Sequence, residues 1–184
     1  MTLHADAYAT LTDWPAPGPD QERLRRVFLA HLDANPDAML RECHPDHLTG
    51  SVIIFSADHR QVLLTLHRLA KLWLQTGGHC EPSDATLAGA ALREGREESG
   101  IQQLAIDDVP VLLSRHEVPF CGPIQPAHHL DVEYVAVAPP GSQHVISDES
   151  DDLAWFDVDA LPTDTDQEVR DLIAAARTRL RGTP

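Results

Sequence analysis

A glycine pair, an alanine-rich run and a cluster of glutamates closed by another glycine, all between Gly77 and Ile101, constrain this chain more than any other feature. The run from Ala85 to Ser99 favours a helix through its alanines, and Gly100 suits the left-handed residue that ends one. Leu87, Ala90 and Ala91 give the helix an apolar face, so it is expected to lie against a sheet. Its last turns carry Arg93, Glu94, Glu97 and Glu98, and the glutamates stand at i, i+3 and i+4, so their carboxylates share one face. Three like charges this close repel one another, and the macrodipole disfavours anions at a helix C-terminus. A divalent cation removes both objections, and an oxygen-only donor set suits magnesium or manganese. Gly77-Gly78 permits a tight loop whose backbone approaches the helix end, where the Gly77 carbonyl can complete a coordination shell.

The surrounding pattern alternates strands with helices. Ser51–Phe55 and Gln61–Leu66 are β-branched apolar runs separated by Ala57-Asp58-His59-Arg60, which predicts a hairpin. Lys71–Gln75 reads as a short extended piece, Val111–Val118 as an extended region, and Leu130–Ala138 as a long strand with Leu130, Val132, Tyr134 and Ala136 on one face. Leu153–Phe156 follows as a last short strand. Thr165-Asp166-Gln167-Glu168 reads as a capping box for a final helix with an apolar stripe at Val169, Leu172, Ile173, Ala176 and Leu180. Upstream, residues 1–19 show little pattern and end in Pro15-Ala16-Pro17-Gly18-Pro19, so they are expected to form an arm whose removal is tolerated. From Asp20, read as an N-cap, Leu24, Val27, Phe28 and Leu32 recur at helical spacing until Asn35-Pro36, and a short helix is expected over Asp37–Arg41. That apolar stripe should cover the core or a second copy of the chain, which leaves room for a homodimer.

With 29 acidic and 14 basic residues the net charge is −15, which excludes nucleic acid and acidic membranes as partners. No stretch has the roughly 18 apolar residues of a membrane span, and the start lacks a signal-peptide pattern, so a cytoplasmic location is expected. Cys43, Cys80 and Cys121 are odd in number and far apart, which predicts free thiols. No zinc-type pair is visible: His79-Cys80 does not make a four-ligand set, and His44 and His47 read as ordinary connector histidines.

Gly78, Arg93, Glu94, Glu97, Glu98, Gly100 and Ile101 resemble the Nudix box, G-x5-E-x7-R-E-U-x-E-E-x-G-U with U aliphatic. Two positions depart from it. Asp84 holds the front acidic position with one extra residue before Arg93, and Gly95 replaces an aliphatic side chain at a cost of about 1 kcal/mol in helix propensity. The resemblance implies an α/β/α sandwich around a mixed sheet, with an N-terminal helical extension over residues 1–48 and a hydrolase domain over 49–184. It implies hydrolysis of a diphosphate linkage in a nucleoside diphosphate derivative, dependent on Mg2+ with Mn2+ as a substitute. Glu97 and Glu98 would be the main metal ligands, Glu94 a further ligand or support, the Gly77 carbonyl a backbone ligand, and Arg93 the group that orients Glu94 or Glu97.

Glu149, in the acidic loop before Trp155-Phe156, is the candidate water-activating base from outside the box. Arg115, His116, His128, His129, Asp131 and Glu133 are expected to border the cleft, and Lys71, Trp73 and His79 to flank the box. Two other functions fit the same resemblance. One is a non-catalytic nucleotide-sensing module, which commonly lacks the box glutamates. The other is an isomerase of isopentenyl diphosphate, which needs a reactive cysteine such as Cys80.

Overall fold

The computed structural model describes residues 1–119, 121–146 and 150–182. Two helices precede the sheet, α1 (Leu3–Asp13) and α2 (Pro19–Ala34). The Thr2 side chain caps α1 by accepting from the Ala5 N–H at 3.2 Å, and the helix stops before Pro15, because a residue ahead of proline avoids the α region. Pro19 opens α2 at its first position, after Gly18 rather than Asp20 as the cap. Arg25 reaches back from α2 to the Leu11 and Thr12 carbonyls, which α1 itself leaves unsatisfied.

The expectation of a patternless arm over residues 1–19 is therefore overturned. Ala7, Leu11 and Trp14 are buried in the same apolar cluster as Phe28 and Leu32, and the Trp14 indole N–H donates to the Pro110 carbonyl at 2.7 Å. The signal was weak because few apolar residues spread over one helix give little periodicity. Val27 is 47% exposed and not on the packed face, and residues 37–41 form turns instead of a short helix.

The sheet contains β1 (His47–Phe55), β2 (Gln61–His67), β3 (Trp73–Leu74), β4 (Thr76–His79), β5 (Ala105–Glu117), β6 (His128–Val137) and β7 (Ser150–Asp157). β1 runs parallel to β6 along its whole length, from His47 opposite His129 to Phe55 opposite Val137. On its other edge β1 pairs with β2 only at Ile54/Leu63 and Phe55/Val62, after which the two strands part. β4 then takes over the edge of β1, and β3 that of β2. This split, with α3 (Leu87–Ser99) lying along β1, opens the cleft described below. β5 pairs with β6 except between Asp107 and Leu112, an irregularity that contains Pro110, which has no N–H for a ladder bond.

Alternation along the strands sends Leu48, Val52, Ile54, Leu130, Val132, Tyr134 and Ala136 to the face covered by α1, α2 and α3. Ile53, Phe55, Val62, Leu64 and Val135 pack on the other face against α4 (Gln167–Gly182). The result is an α/β/α sandwich with a mixed sheet. Asp166, not Thr165, caps α4: its carboxylate accepts from the Glu168 N–H at 3.1 Å, one residue later than the capping-box reading. No helix among the described residues is long and apolar enough to cross a membrane.

Candidate active site

The box helix α3 is held at both ends and along its face. Its first turn is satisfied by the Thr86 hydroxyl, which accepts from the Gly89 N–H at 3.0 Å, and by the Asp6 carboxylate of α1, which accepts from the Leu87 N–H at 2.8 Å. Gly100 ends it at φ 71°. A Cβ on Gly95 would stand 2.6 Å from the Val52 Cγ1, so the missing aliphatic side chain is a condition of close packing against β1 and not a loss of packing.

Arg93 organises the acidic end. Its Nε and one terminal nitrogen hold Asp84 in a two-point contact at 3.1 and 3.0 Å, and the same terminal nitrogen donates to the His79 carbonyl at 2.9 Å. The other terminal nitrogen donates to Glu94 and Glu97, both at 3.0 Å. A guanidinium with its side chain 19% exposed and four carboxylates within 4 Å, Glu81 at 3.9 Å among them, differs from a solvated surface pair, and these partners raise its pKa. Although one extra residue stands between Asp84 and Arg93, Asp84 still reaches the arginine. Glu98 accepts from the Gly77 N–H at 2.8 Å. A Cβ on Gly78 would lie 2.8 Å from the Glu94 carboxyl carbon, so only glycine lets the loop lie against the glutamates.

Gly77, Gly78, Arg93, Glu94, Glu97 and Glu98 line a cleft of about 1170 Å³. Thr49, Ser51, Gln75, His116, Asp131 and Glu168 line it as well. Asp131 is buried and accepts from Thr49 at 2.7 Å and Ser51 at 2.5 Å. Its strand neighbour Glu133 is also buried; burial first, and then Asp131, Glu168 and Asp171, push its pKa well above 4.5.

Other residues expected at the cleft sit elsewhere. Arg115 and His128 both contact Asp46, at 3.3 and 3.0 Å. Lys71 pairs with Asp151 at 2.5 Å, and Trp73 packs edge-on against Phe156 with 4.7 Å between centroids. Glu149 lies outside the described residues. Cys80 is buried, and burial chiefly pushes its thiol up to about 12.

The residues that sequence reasoning missed are His47 and Cys121. His47 is 1% exposed and begins β1, so it is no connector histidine, and with His79, His129 and Cys121 it places four donor atoms within 4.8 Å of one another. Burial lowers the pKa of all three histidines, to about 4 for His79 and about 2 for His129, so their imidazoles are neutral at pH 7.

The family model for the NUDIX domain matches residues 45–176, and the chain belongs to the Nudix family. None of the curated proteins is a match to the chain. Among solved structures, a NUDIX-family hydrolase from Clostridium perfringens superposes with a TM-score of 0.60 at 23% identity, covering 73% of this chain and 97% of its own. The dihydroneopterin triphosphate pyrophosphohydrolase of E. coli gives 0.58 at 23% identity, covering 68% and 91%. The NUDIX domain of Shewanella oneidensis NrtR, solved with ADP ribose, gives 0.55 at 21% identity, covering 72% and 87%. At these identities the likeness is one of fold.

Proposed function

We propose that this chain is a divalent-metal-dependent pyrophosphohydrolase that cleaves a diphosphate linkage in a nucleoside diphosphate derivative or a similar organic pyrophosphate. The observation that carries the reading is the fixed carboxylate wall: Arg93 holds Glu94 and Glu97, the Gly77 N–H holds Glu98, and all three glutamates line the cleft. An all-oxygen donor set against a glycine loop fits Mg2+ or Mn2+, with Glu94, Glu97, Glu98 and the Gly77 carbonyl as the ligands. Such a cation supplies charge neutralisation at the diphosphate and an acidified water.

The chain's own residues do the positioning. Arg93 keeps Glu94 and Glu97 in place through two N–H donors, so the carboxylates need not reorganise when an anion arrives. The β4 backbone sets Glu98 and, through the His79 carbonyl, the arginine. Glu149 is retained as the base that takes a proton from the attacking water, and Glu149→Gln should lower turnover with little change in KM. The cleft exceeds the roughly 300–1,000 Å³ of typical small-ligand pockets, in keeping with a substrate as large as a nucleotide derivative. Residues 49–184 would form the catalytic domain, with residues 1–48 a docked extension.

The similar structures of a dihydroneopterin triphosphate pyrophosphohydrolase and of a NUDIX domain with ADP ribose suggest where to begin. A hydrolysis screen with Mg2+ or Mn2+ over nucleoside triphosphates, nucleotide sugars including ADP ribose, dinucleotides and coenzyme A compounds tests the reading. Phosphate-bearing products from one class are expected; tight binding without any product would identify a sensing module instead.

A further inference from the structure

We propose that His47, His79, His129 and Cys121 bind one zinc ion, at a site separate from the carboxylate wall of α3. The four residues come from four places: the start of β1, the end of β4, the start of β6 and the loop between β5 and β6. The sheet register brings them together, since His47 lies opposite His129 and His79 opposite Thr49. The three imidazoles form a near-equilateral triangle, with centroids 5.1, 5.0 and 5.0 Å apart.

The nitrogens are aimed inward. His47 Nδ1–H donates to the Cys43 carbonyl at 3.3 Å, which leaves the lone pair of Nε2 facing the Cys121 Sγ at 3.8 Å. His79 Nε2 lies 3.5 Å from the same sulfur. His129 Nε2 is buried with no hydrogen-bond partner, an arrangement that costs free energy unless something satisfies it. Tetrahedral zinc with bonds of about 2.0–2.1 Å to nitrogen and about 2.3 Å to sulfur sets its ligands roughly 3.3–3.6 Å apart, close to the spacing around Cys121. Gly122, at φ 75°, keeps the loop in place: a Cβ there would stand 2.4 Å from the His44 ring.

A nitrogen-rich set with one thiolate selects zinc over magnesium, and four protein ligands leave no open position. On binding, the Cys121 thiol releases one proton to solvent while three neutral imidazoles contribute lone pairs, giving a site of net charge +1. The ion ties the β5–β6 loop to the end of the sheet. It also anchors His79, whose carbonyl receives the Arg93 hydrogen bond.

The test uses the full-length protein purified without chelators, equilibrated with zinc and desalted. One zinc per chain is expected by elemental analysis. Less than a tenth of that is expected in His129→Ala and Cys121→Ser, while Cys43→Ser and Glu98→Gln should keep it. In the cobalt-substituted wild type, a thiolate-to-cobalt charge-transfer band is expected, which a carboxylate site cannot give; X-ray absorption on the zinc form should show three nitrogens and one sulfur, whether or not the variants fold. No retained zinc in the wild type, no charge-transfer band, a band that survives Cys121→Ser, or an all-oxygen first shell would each overturn the site. None of these readouts depends on hydrolysis, so the outcome is independent of the proposed activity.

Discussion

The molecule holds two donor clusters of opposite design, the carboxylates that line the cleft and the histidine and cysteine cluster beside it, of which only His79 and His129 also line the cleft. The carboxylates of α3 come from one continuous stretch, are oxygen donors, and include Glu97 with its side chain 60% exposed. The histidine and cysteine cluster is assembled from segments as far apart as His47 and His129, offers nitrogen and sulfur, and has two of its four members buried. Helix geometry alone places three glutamates on one face, whereas only the strand register places three imidazoles in one triangle. Chemistry carried by local geometry can be read from a sequence; chemistry carried by long-range pairing cannot.

The contrast is incomplete, because the local motif also leans on distant residues. Asp6 of α1 caps the box helix, and Trp14 fixes α1 in the core. Trp14→Ala should therefore cost about 3–5 kcal/mol in denaturant unfolding, the range for losing a buried large aromatic side chain. An unchanged midpoint would mean that the first helix is the loose arm its sequence suggests, and that the box stands alone.

Glu98→Gln should separate the two clusters by function. Turnover should fall roughly a hundredfold, about 2.7 kcal/mol of transition-state stabilisation, with little change in melting temperature and with zinc retained. A loss below threefold would make Glu98 a surface residue.

Gly95→Ala sharpens how far helix propensity governs the box. Propensity alone predicts a gain of about 1 kcal/mol, but the added Cβ would meet the buried Val52 at 2.6 Å. Overpacking of about 1–3 kcal/mol should cancel or outweigh that gain and leave the variant less stable by roughly 0–2 kcal/mol. A more stable variant would show that α3 moves away from β1 at no cost.

The smallest effect concerns Glu133. Its folded-state pKa is raised, so the folded protein holds the proton more tightly than the unfolded chain. The stability this gives is fully present below about pH 4.5 and is lost as pH rises through the raised value. Glu133→Gln keeps the neutral form at every pH, so it should match the wild type at pH 4 and melt higher than it at pH 8. Equal melting at both would mean that Glu133 is ionised in the fold.

Much of the fold was legible for the same reason as the box. The strand face of Leu130, Val132, Tyr134 and Ala136, the glycine stop at Gly100 and the apolar stripe of α4 are all periodic signals within one element. What escaped was either too short or too distributed. α1 buries only Ala7 and Leu11. Arg115 and His128 turned to Asp46, an interaction that sequence spacing does not specify. The pairing of Arg93 with Asp84 across an inserted residue depends on a loop path that only the fold defines. His47 and Cys121, 74 residues apart, carry no local pattern.

The claim that the carboxylate wall works through a divalent cation is tested most directly by metal withdrawal and return. The protein is dialysed until weakly held ions are lost, zinc content is checked, and hydrolysis of the best substrate from the screen is followed as Mg2+ or Mn2+ is added. The account predicts background activity at the start and full recovery on addition, with zinc constant throughout. Full hydrolysis before any magnesium or manganese is restored would contradict it.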